Sequence, residues 1–320
     1  PGRMSSAGPV EAVVIGRNEG ARLLACLKSL QGQVRRTVYV DSGSTDGSVE
    51  AAAALGAHVV ELDMSRSFTA ARARNAGLAA TGPDTALVQF VDGDCIVQPG
   101  WIAAAAAFLA AHPGAAAACG RRREAHPEAS VYNRLCDREW DTPAGETAAC
   151  GGDVLMRAAP LRDAGGYRED LIAGEEPELC LRLRHAGWTI WRLKAEMTLH
   201  DAKMTRFRQW WKRSRRAGHA FAEGAALHGK GPERHWVRET RRAAVWGAAL
   251  PLLILLGSLA YTPAALLALA YPAQLARLSL RDGWEAGLFQ LIGKFPEAQG
   301  AAEYHLRRLS GRRRGLIEYK

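Results

Sequence analysis

The sequence predicts an α/β fold: a mostly parallel central sheet flanked by helices, followed by a C-terminal helical, membrane-associated region. Three observations predict it. A strand–loop–helix pattern repeats three times with short connections within the first 83 residues, the pattern of strands joined by crossover helices. A short apolar run, Leu87-Val88-Gln89-Phe90-Val91, then ends in two carboxylates split by a glycine, Asp92-Gly93-Asp94. Finally, residues 243–276 contain no charged side chain.

Residues 10–15 form the first expected strand, ending in the loop Gly16-Arg17-Asn18-Glu19-Gly20. Leu23, Leu27 and Leu30 then share one helical face, and Gly32 stops that helix. Val38-Tyr39-Val40 is the second strand. It runs into Asp41-Ser42-Gly43-Ser44-Thr45-Asp46-Gly47-Ser48, dense in turn and helix-capping residues, and an alanine-rich helix follows to Leu55. Residues 58–62 are the third strand, and a basic helix with Arg72, Arg74 and Asn75 ends near Gly82-Pro83. The run 87–91 is then the fourth, too short for a helix and rich in Val and Phe. Ligands of parallel sheets bind beyond the carboxyl ends of the strands, where Asp41, Asp92 and Asp94 all fall. Two carboxylates converging on one point suit a hard cation such as Mg2+ or Mn2+; an ordinary Asp-Gly turn is the plainer alternative. No G-x-G-x-x-G follows a strand and no G-x-x-x-x-G-K-[ST] is present, which excludes the usual dinucleotide and P-loop motifs.

Composition sets the bounds. At 320 residues with 48% hydrophobic and 23% charged residues, the chain buries a core and is not disordered. A net charge of +9 calls for an anionic partner: phosphorylated substrates, an anionic bilayer or nucleic acid. No recognition module accompanies the basic residues, so no nucleic-acid partner is expected. Six cysteines without C-x-x-C pairing read as reduced thiols of a cytoplasmic protein. Residues 1–9 are small and polar, unlike a signal peptide, and Met4 reads as the native start.

Four short motifs now fall in register: Arg17-Asn18-Glu19, Asp41-Ser42-Gly43-Ser44-Thr45-Asp46-Gly47, Ala73-Arg74-Asn75-Ala76-Gly77 and Asp92-Gly93-Asp94. In order and spacing the chain resembles the family 2 glycosyltransferases, inverting enzymes of the GT-A nucleotide-diphospho-sugar transferase fold. The likeness continues through Gly151-Gly152-Asp153 and Gly165-Gly166-Tyr167 to Gly174-Glu175-Glu176-Pro177-Glu178. It implies a nucleotide-sugar site containing Ile15, Arg17 and Glu19, with Asp41 on the nucleobase, Arg74 near the base and diphosphate, and Asp92 on the ribose side. It implies a divalent metal at Asp94, with Asp92 adjacent and His200 either as a further ligand or as a satisfied structural histidine. Glu176 matches the general-base position, usually an aspartate in that family, and Glu175 is its neighbouring candidate. The chemistry asks for such groups: expelling a nucleoside diphosphate develops negative charge that a cation neutralises, and the attacking hydroxyl must lose a proton. Glu176 also opens a helix with Leu179, Leu183 and Ala186 on one face, so a helix-capping role is the alternative.

Asp153 is expected to hold donor or acceptor hydroxyls, or to be a turn residue. Residues 120–150 are expected to be irregular and charged, bearing acceptor-side surface around Arg121, Arg122, Arg123 and Trp140 or simply solvated. Cys150 is expected to be a buried structural cysteine. Gln209-Trp210-Trp211-Lys212-Arg213 is similar to the Q-x-x-R-W signature of processive synthases, with the spacing shifted by one and the final tryptophan missing; it makes Trp210 and Trp211 candidate sugar contacts.

The expected domains are a catalytic domain at 9–202, a basic, aromatic, helical linker at 203–242, and a hydrophobic hairpin, interfacial helix and basic tail at 243–320. The uncharged run is interrupted by Pro251, Pro263 and Pro272 and flanked by Arg241, Arg242, Arg277 and Arg281. Two full spans need roughly 40 residues, so a short hairpin dipping into one leaflet is preferred to a single span. A buried helical pair is the remaining alternative. Trp284, Leu288, Leu291, Ile292 and Phe295 then suggest a helix lying at the interface, and the basic residues 307–314 a hold on anionic lipid. The resulting expectation is a metal-dependent enzyme on the cytoplasmic side of the cell membrane. It would move a sugar from a nucleotide donor, UDP-linked by preference, to a lipid-linked or polysaccharide acceptor. The alternatives are a sugar-phosphate nucleotidyltransferase and a non-catalytic binding partner of a polysaccharide assembly.

Overall fold

The computed structural model describes residues 8–310. The expected start at Met4 and the expected basic tail beyond residue 310 lie outside the described residues. The chain separates into two compact units. The first runs to Ala129 and includes Cys136–Asp170 and Glu175–Lys203; the second holds Ser130–Leu135, Leu171–Gly174 and everything described from Met204 onward.

The first unit is an α/β layer structure. Its strands are β1 (Val10–Gly16), β2 (Arg36–Asp41), β3 (His58–Glu61), β4 (Leu87–Asp92), β5 (Cys95–Val97), β6 (Ala115–Glu124), β7 (Gly145–Thr147), β8 (Val154–Arg157) and β9 (Thr189–His200). Its helices are α1 (Ala21–Leu30), α2 (Ser48–Ala54), α3 (Ala70–Ala79), α4 (Trp101–Ala111), α5 (Val131–Glu139, which begins in the second unit), α6 (Ala158–Asp163) and α7 (Glu175–His185). The sheet order is β3-β2-β1-β4-β8-β6-β9-β5, with β7 paired to β9. The expected α/β architecture is present, and β3, β2, β1 and β4 are mutually parallel. Beyond β4 the sheet turns: β8 runs antiparallel to β4 and β6, while β6 and β9 are parallel. Apolar strand residues buried on both faces, among them Val13, Val38, Val40, Phe90 and Val91, form the core that fixes this layer.

The register carries Asp41 and Asp92 to the same edge. Gly16 pairs with Asp41 and Ile15 with Asp92, so the end of β1 lies between the two carboxylates. Residues 120–150 are not irregular. Strand β6 continues through Arg121 and Arg122 to Glu124, because its pairing with β9 extends to His200, and α5 follows. The six cysteines are buried and none is in a disulfide, as reduced thiols should be.

The second unit is helical: α8 (Phe207–His228), α9 (Val237–Ala244), α10 (Leu250–Ala260), α11 (Ala270–Asp282), α12 (Trp284–Ile292) and α13 (Lys294–Ser310). Helices α8 and α13 approach closely: a Cβ at Gly218 would strike the Glu297 backbone, and one at Gly300 the Arg215 carbonyl. A wider π-helical segment, Val245–Ala249, joins α9 to α10. The helix Val237–Ala260 is long and apolar enough to cross a membrane by length and composition. Residues 203–242 and 243–310 thus fall, apart from Lys203, within one unit. The interfacial helix expected at 284–295 is instead largely packed: Leu291 is buried, Phe289 lies edge-on to Trp210 at 5.0 Å, and of the expected apolar face only Trp284 is exposed.

Candidate active site

Local rules set the first loops. Asn18 takes a positive φ of 53°, its Oδ1 accepts from Thr45 N–H at 2.8 Å, and its own N–H donates to Ser44 Oγ at 2.9 Å. The loops after β1 and β2 are thereby stitched together. Asp41 is buried beneath them. Its Oδ2 accepts from the N–H groups of Gly43 and Ser44 at 2.9 and 2.8 Å, and its Oδ1 from the Tyr39 hydroxyl at 2.7 Å. Ile15 is buried, Glu19 pairs with Arg22 at 2.5 Å, and Arg17 is exposed at the rim. Gly93 does not need an unusual φ. Its N–H donates to the Ile15 carbonyl at 2.8 Å, and an added Cβ would sit 3.1 Å from that oxygen. Glycine is required there by close approach to β1.

Arg74 is the hub of the site. It is buried on α3, yet its Nη2 lies 2.9 Å from Asp92 Oδ1, and its Nη1 lies 2.8 Å from Glu175 Oε1 and 2.9 Å from Glu176 Oε1. Its guanidinium also lies 5.7 Å from the centre of the Tyr167 ring. The surrounding chain holds this geometry. Asn75 donates to the Tyr167 carbonyl at 2.8 Å and accepts from its N–H at 2.9 Å, which explains why the Arg74-Asn75 and Gly166-Tyr167 motifs belong together. Gly152 leaves the space in which Arg74 meets Asp92. Glu175 and Glu176 occupy the first turn of α7, where a negative charge is favoured. Burial, reinforced by the neighbouring Glu175 carboxylate, pushes the Glu176 pKa up to about 7 against the pull of Arg74.

On the other side of Asp92 the strands bring in residues from far along the chain. Asp153 Oδ1 accepts from the Asp92 N–H at 3.1 Å and its Oδ2 from Thr198 Oγ1 at 2.7 Å. Asp153 is therefore buried and hydrogen-bonded within the sheet, and its observed partners are protein groups. Arg122 Nη2 lies 3.5 Å from Asp92 Oδ2 and its Nε 3.6 Å from Asp153 Oδ2, with its guanidinium 4.8 Å over the Trp140 ring. Trp140 in turn stands edge-on to His200 at 4.9 Å.

Cys95 pairs in register with His200. His200 Nε2 lies 3.3 Å from Asp94 Oδ2, and its Nδ1 3.8 Å from Glu124 Oε2. Burial, helped by Arg122, lowers the His200 pKa below its ordinary 6.5. One ligand atom each from Asp94, Cys95 and His200 lies within 4.8 Å of the others, and all three residues are buried. A carboxylate beside an imidazole is a fitting donor pair for a divalent cation. Asp92, Cys95 and Asp153 make a second such group, but the Arg74 and Arg122 guanidiniums already face it.

The structure thus gathers Arg74, Asp92, Asp94, Asp153, Glu175, Glu176 and His200 at one edge of the sheet, with Asp41 across the end of β1. Trp210 and Trp211 belong to the second unit, where Trp210 is buried beside Tyr132 and Phe289, and the Trp211 indole donates to Gln299 at 3.0 Å. Gln209 of the same motif caps α8, accepting from the N–H groups of Thr205 and Arg206 at 3.0 Å each. The sequence offers Arg122 and Trp140 only as acceptor-side surface or solvated residues, and gives no sign of Glu124. The basic triplet 121–123 carries the signal, and it lies on a strand rather than in a loop. Cys150 is buried with its Sγ 3.4 Å from that of Cys180, in keeping with a structural role.

Residues 12–147 match the family described as Glycosyl transferase family 2. The chain is 29% identical over 232 residues to a pre-mycofactocin glycosyltransferase of Mycobacterium tuberculosis, covering 68% of this chain and 48% of that protein. It therefore spans about half the length of the curated relatives it matches. In three dimensions it is similar to the Pyrobaculum calidifontis mannosyltransferase PcManGT in complex with GDP-Man and Mn2+, with a TM-score of 0.64, 21% identity, and 93% of this chain and 87% of that one covered. It is also similar to S. aureus TarS 1–349, with a TM-score of 0.52, 15% identity, and 95% and 92% covered. These structural likenesses concern the fold.

Proposed function

We propose, from the match of residues 12–147 to glycosyl transferase family 2, that this chain moves a sugar from a nucleotide-sugar donor to an acceptor hydroxyl with inversion. The reading extends to a UDP-linked donor and a lipid-linked or polysaccharide acceptor at the cytoplasmic face of the membrane. One observation carries the proposal. A single buried guanidinium, Arg74, ties Asp92 to the Glu175–Glu176 pair, so the donor-side aspartate and the candidate bases share one cleft although they are remote in sequence.

The roles follow from position. The stitched loops around Asn18 and Asp41 hold the nucleoside, and Arg74 and Asp92 hold the ribose and diphosphate side. Asp94 and His200 would hold a divalent cation, Mg2+ or Mn2+, which when bound supplies positive charge against the departing nucleoside diphosphate; the Mn2+ in the PcManGT complex supports this choice. Glu176 takes the acceptor proton. It is the better candidate of the pair, because its side chain keeps 15% exposure against 5% for Glu175, and a base with a pKa raised to about 7 is suited to exchange a proton near neutral pH. Asp153 positions Asp92 through the backbone rather than holding a sugar hydroxyl. Residues 9–202 would form the catalytic part, and 203–320 the acceptor- and membrane-side part.

The test is a screen of nucleotide sugars with Mn2+, reading released nucleoside diphosphate, with Glu176→Gln alongside. Turnover should fall by roughly 10²–10⁴ while the donor Kd stays within a few-fold. Unchanged turnover in Glu176→Gln would remove the base assignment. A folded chain that binds no nucleotide sugar would remove the transferase reading.

A further inference from the structure

The second unit carries a feature that the transfer chemistry does not use. Helix α10 is followed by a reversal at Tyr261, a 3-10 segment, Thr262–Leu269, and α11. The two arms form a closed hairpin. A Cβ at Gly257 would lie 3.1 Å from that of Ala264, the Tyr271 hydroxyl donates to the Trp246 carbonyl at 2.7 Å, and the Trp246 and Tyr271 rings meet edge-on at 5.7 Å. No residue from Val245 to Leu269 is buried. Leu252, Leu253, Leu255, Leu256, Leu259 and Leu266 are each more than half exposed.

We infer that this hairpin is a wedge for one leaflet of a lipid bilayer, entering and leaving on the same side. The exposed leucines at 252, 253, 255, 256 and 259 cover somewhat less than half of the circumference of α10, which turns by about 100° per residue, and the 3-10 arm adds exposed Leu266, Leu267 and Leu269. Both arms thus present leucine, with no charged residue between Arg242 and Arg277, as a hydrocarbon environment requires. Polar groups inside the hairpin are quiet: the Ser258 hydroxyl donates to the Ile254 carbonyl at 2.6 Å, and the Tyr261 N–H to the Gly257 carbonyl at 2.7 Å, as hydrocarbon requires. At the base, Trp246 and Tyr271 supply interfacial aromatics, and exposed Arg241, Arg242 and Arg277 supply positive charge on both arms for anionic headgroups.

Depth distinguishes a wedge from a span. The helix Val237–Ala260 has 24 residues, about 36 Å at 1.5 Å per residue, enough to cross. Its first part is not available, because Ala243 is fully buried and Gly247 packs on the Lys294 carbonyl of α13. What projects is α10, 11 residues or about 16 Å, against a hydrocarbon core of about 30 Å. The tip therefore stops near the midplane.

The experiment uses the full chain without donor or metal, so its outcome is independent of the transferase reading. Vesicles of phosphatidylcholine, with and without phosphatidylglycerol, are floated with wild type and with the double variant Leu255→Asp/Leu256→Asp. Tyr261→Cys carrying the fluorophore NBD reports depth. The wedge predicts flotation strengthened by phosphatidylglycerol at low salt and more than about tenfold weaker binding of the double variant. It also predicts quenching of NBD by mid-chain rather than headgroup quenchers, and protection from dithionite on either side of the membrane. The unfolding midpoint of the double variant should match wild type in the absence of lipid. Absence of flotation, reduction of the NBD by dithionite trapped inside the vesicles, or a dimer that the double variant dissolves while flotation is unaffected would each overturn the inference.

Discussion

At the carboxyl edge of the sheet, Arg74 and His200 hold acidic side chains in opposite ways. Arg74 is a permanent cation fixed between three carboxylates, with contacts of 2.8 to 2.9 Å. His200 sits between Asp94 and Glu124 at 3.3 and 3.8 Å, and its pKa is lowered, so near neutral pH it brings a lone pair rather than a charge. The first cluster carries its positive charge in the chain; the second is suited to recruit one. This difference assigns fixed architecture to the Arg74 side and exchangeable chemistry to the Asp94 side.

Removing the built-in cation should do the most damage. Arg74→Met leaves Asp92, Glu175 and Glu176 facing one another with little water between them. Breaking a buried ion pair from one side costs about 3–5 kcal/mol, which urea unfolding would measure directly. Adding Glu175→Gln to Arg74→Met should recover part of that loss. A cost below about 1 kcal/mol would show that Arg74 is not the electrostatic keystone of the edge.

His200→Ala should act on ion affinity instead. Removing a neutral imidazole strands no new charge, so stability should fall by less than in Arg74→Met. Mn2+ affinity should drop at least 10–100-fold, the range seen even for outer-sphere partners. Isothermal titration of Mn2+ without nucleotide separates this effect from catalysis. Equal Mn2+ binding in wild type and variant would place the ion elsewhere.

The two clusters were not equally legible in the sequence. Asp41 and Asp92 announce themselves because each ends a short apolar strand, with Asp94 two residues further on, and strand ends of a parallel sheet share an edge. The partnership of Arg74 with Glu175 and Glu176 spans about a hundred residues of sequence, and only motif resemblance linked them. Arg122 was hidden for a physical reason. A strand of alanines running into three arginines, Ala115–Glu124, has neither the branched side chains nor the alternation that marks a strand; pairing with β8 and β9 imposes it. Trp210 erred in the other direction. An aromatic beside basic residues looks like a surface for ligands, yet its ring fills the space among Tyr132, Phe207 and Phe289. The segment 284–295 poses the same ambiguity, since amphipathic spacing does not say whether lipid or protein covers the apolar face; Leu291 is buried and Trp284 exposed.

The smallest expected effect tests the boundary of the Arg74 cluster. Glu176 faces Arg74, Glu175 and, at longer range, Asp92, and the balance leaves its pKa near 7 rather than 4.5. The pH profile of kcat/KM should therefore rise through an acid limb centred near 7 as the base deprotonates. Glu175→Gln should move that limb to lower pH by removing a like charge. The stability sign is opposite to that of an ordinary paired carboxylate. A raised pKa means the folded state holds a proton that the unfolded chain has already released. Stability supplied by this group is complete below pH 4.5 and is lost as pH rises toward 7. Urea unfolding at pH 5 and pH 7.5 should show that decline in wild type and a shallower one in Glu176→Gln. An identical slope in both, with no limb near 7, would mean that Arg74 keeps Glu176 charged throughout and that the proton acceptor lies elsewhere at this edge.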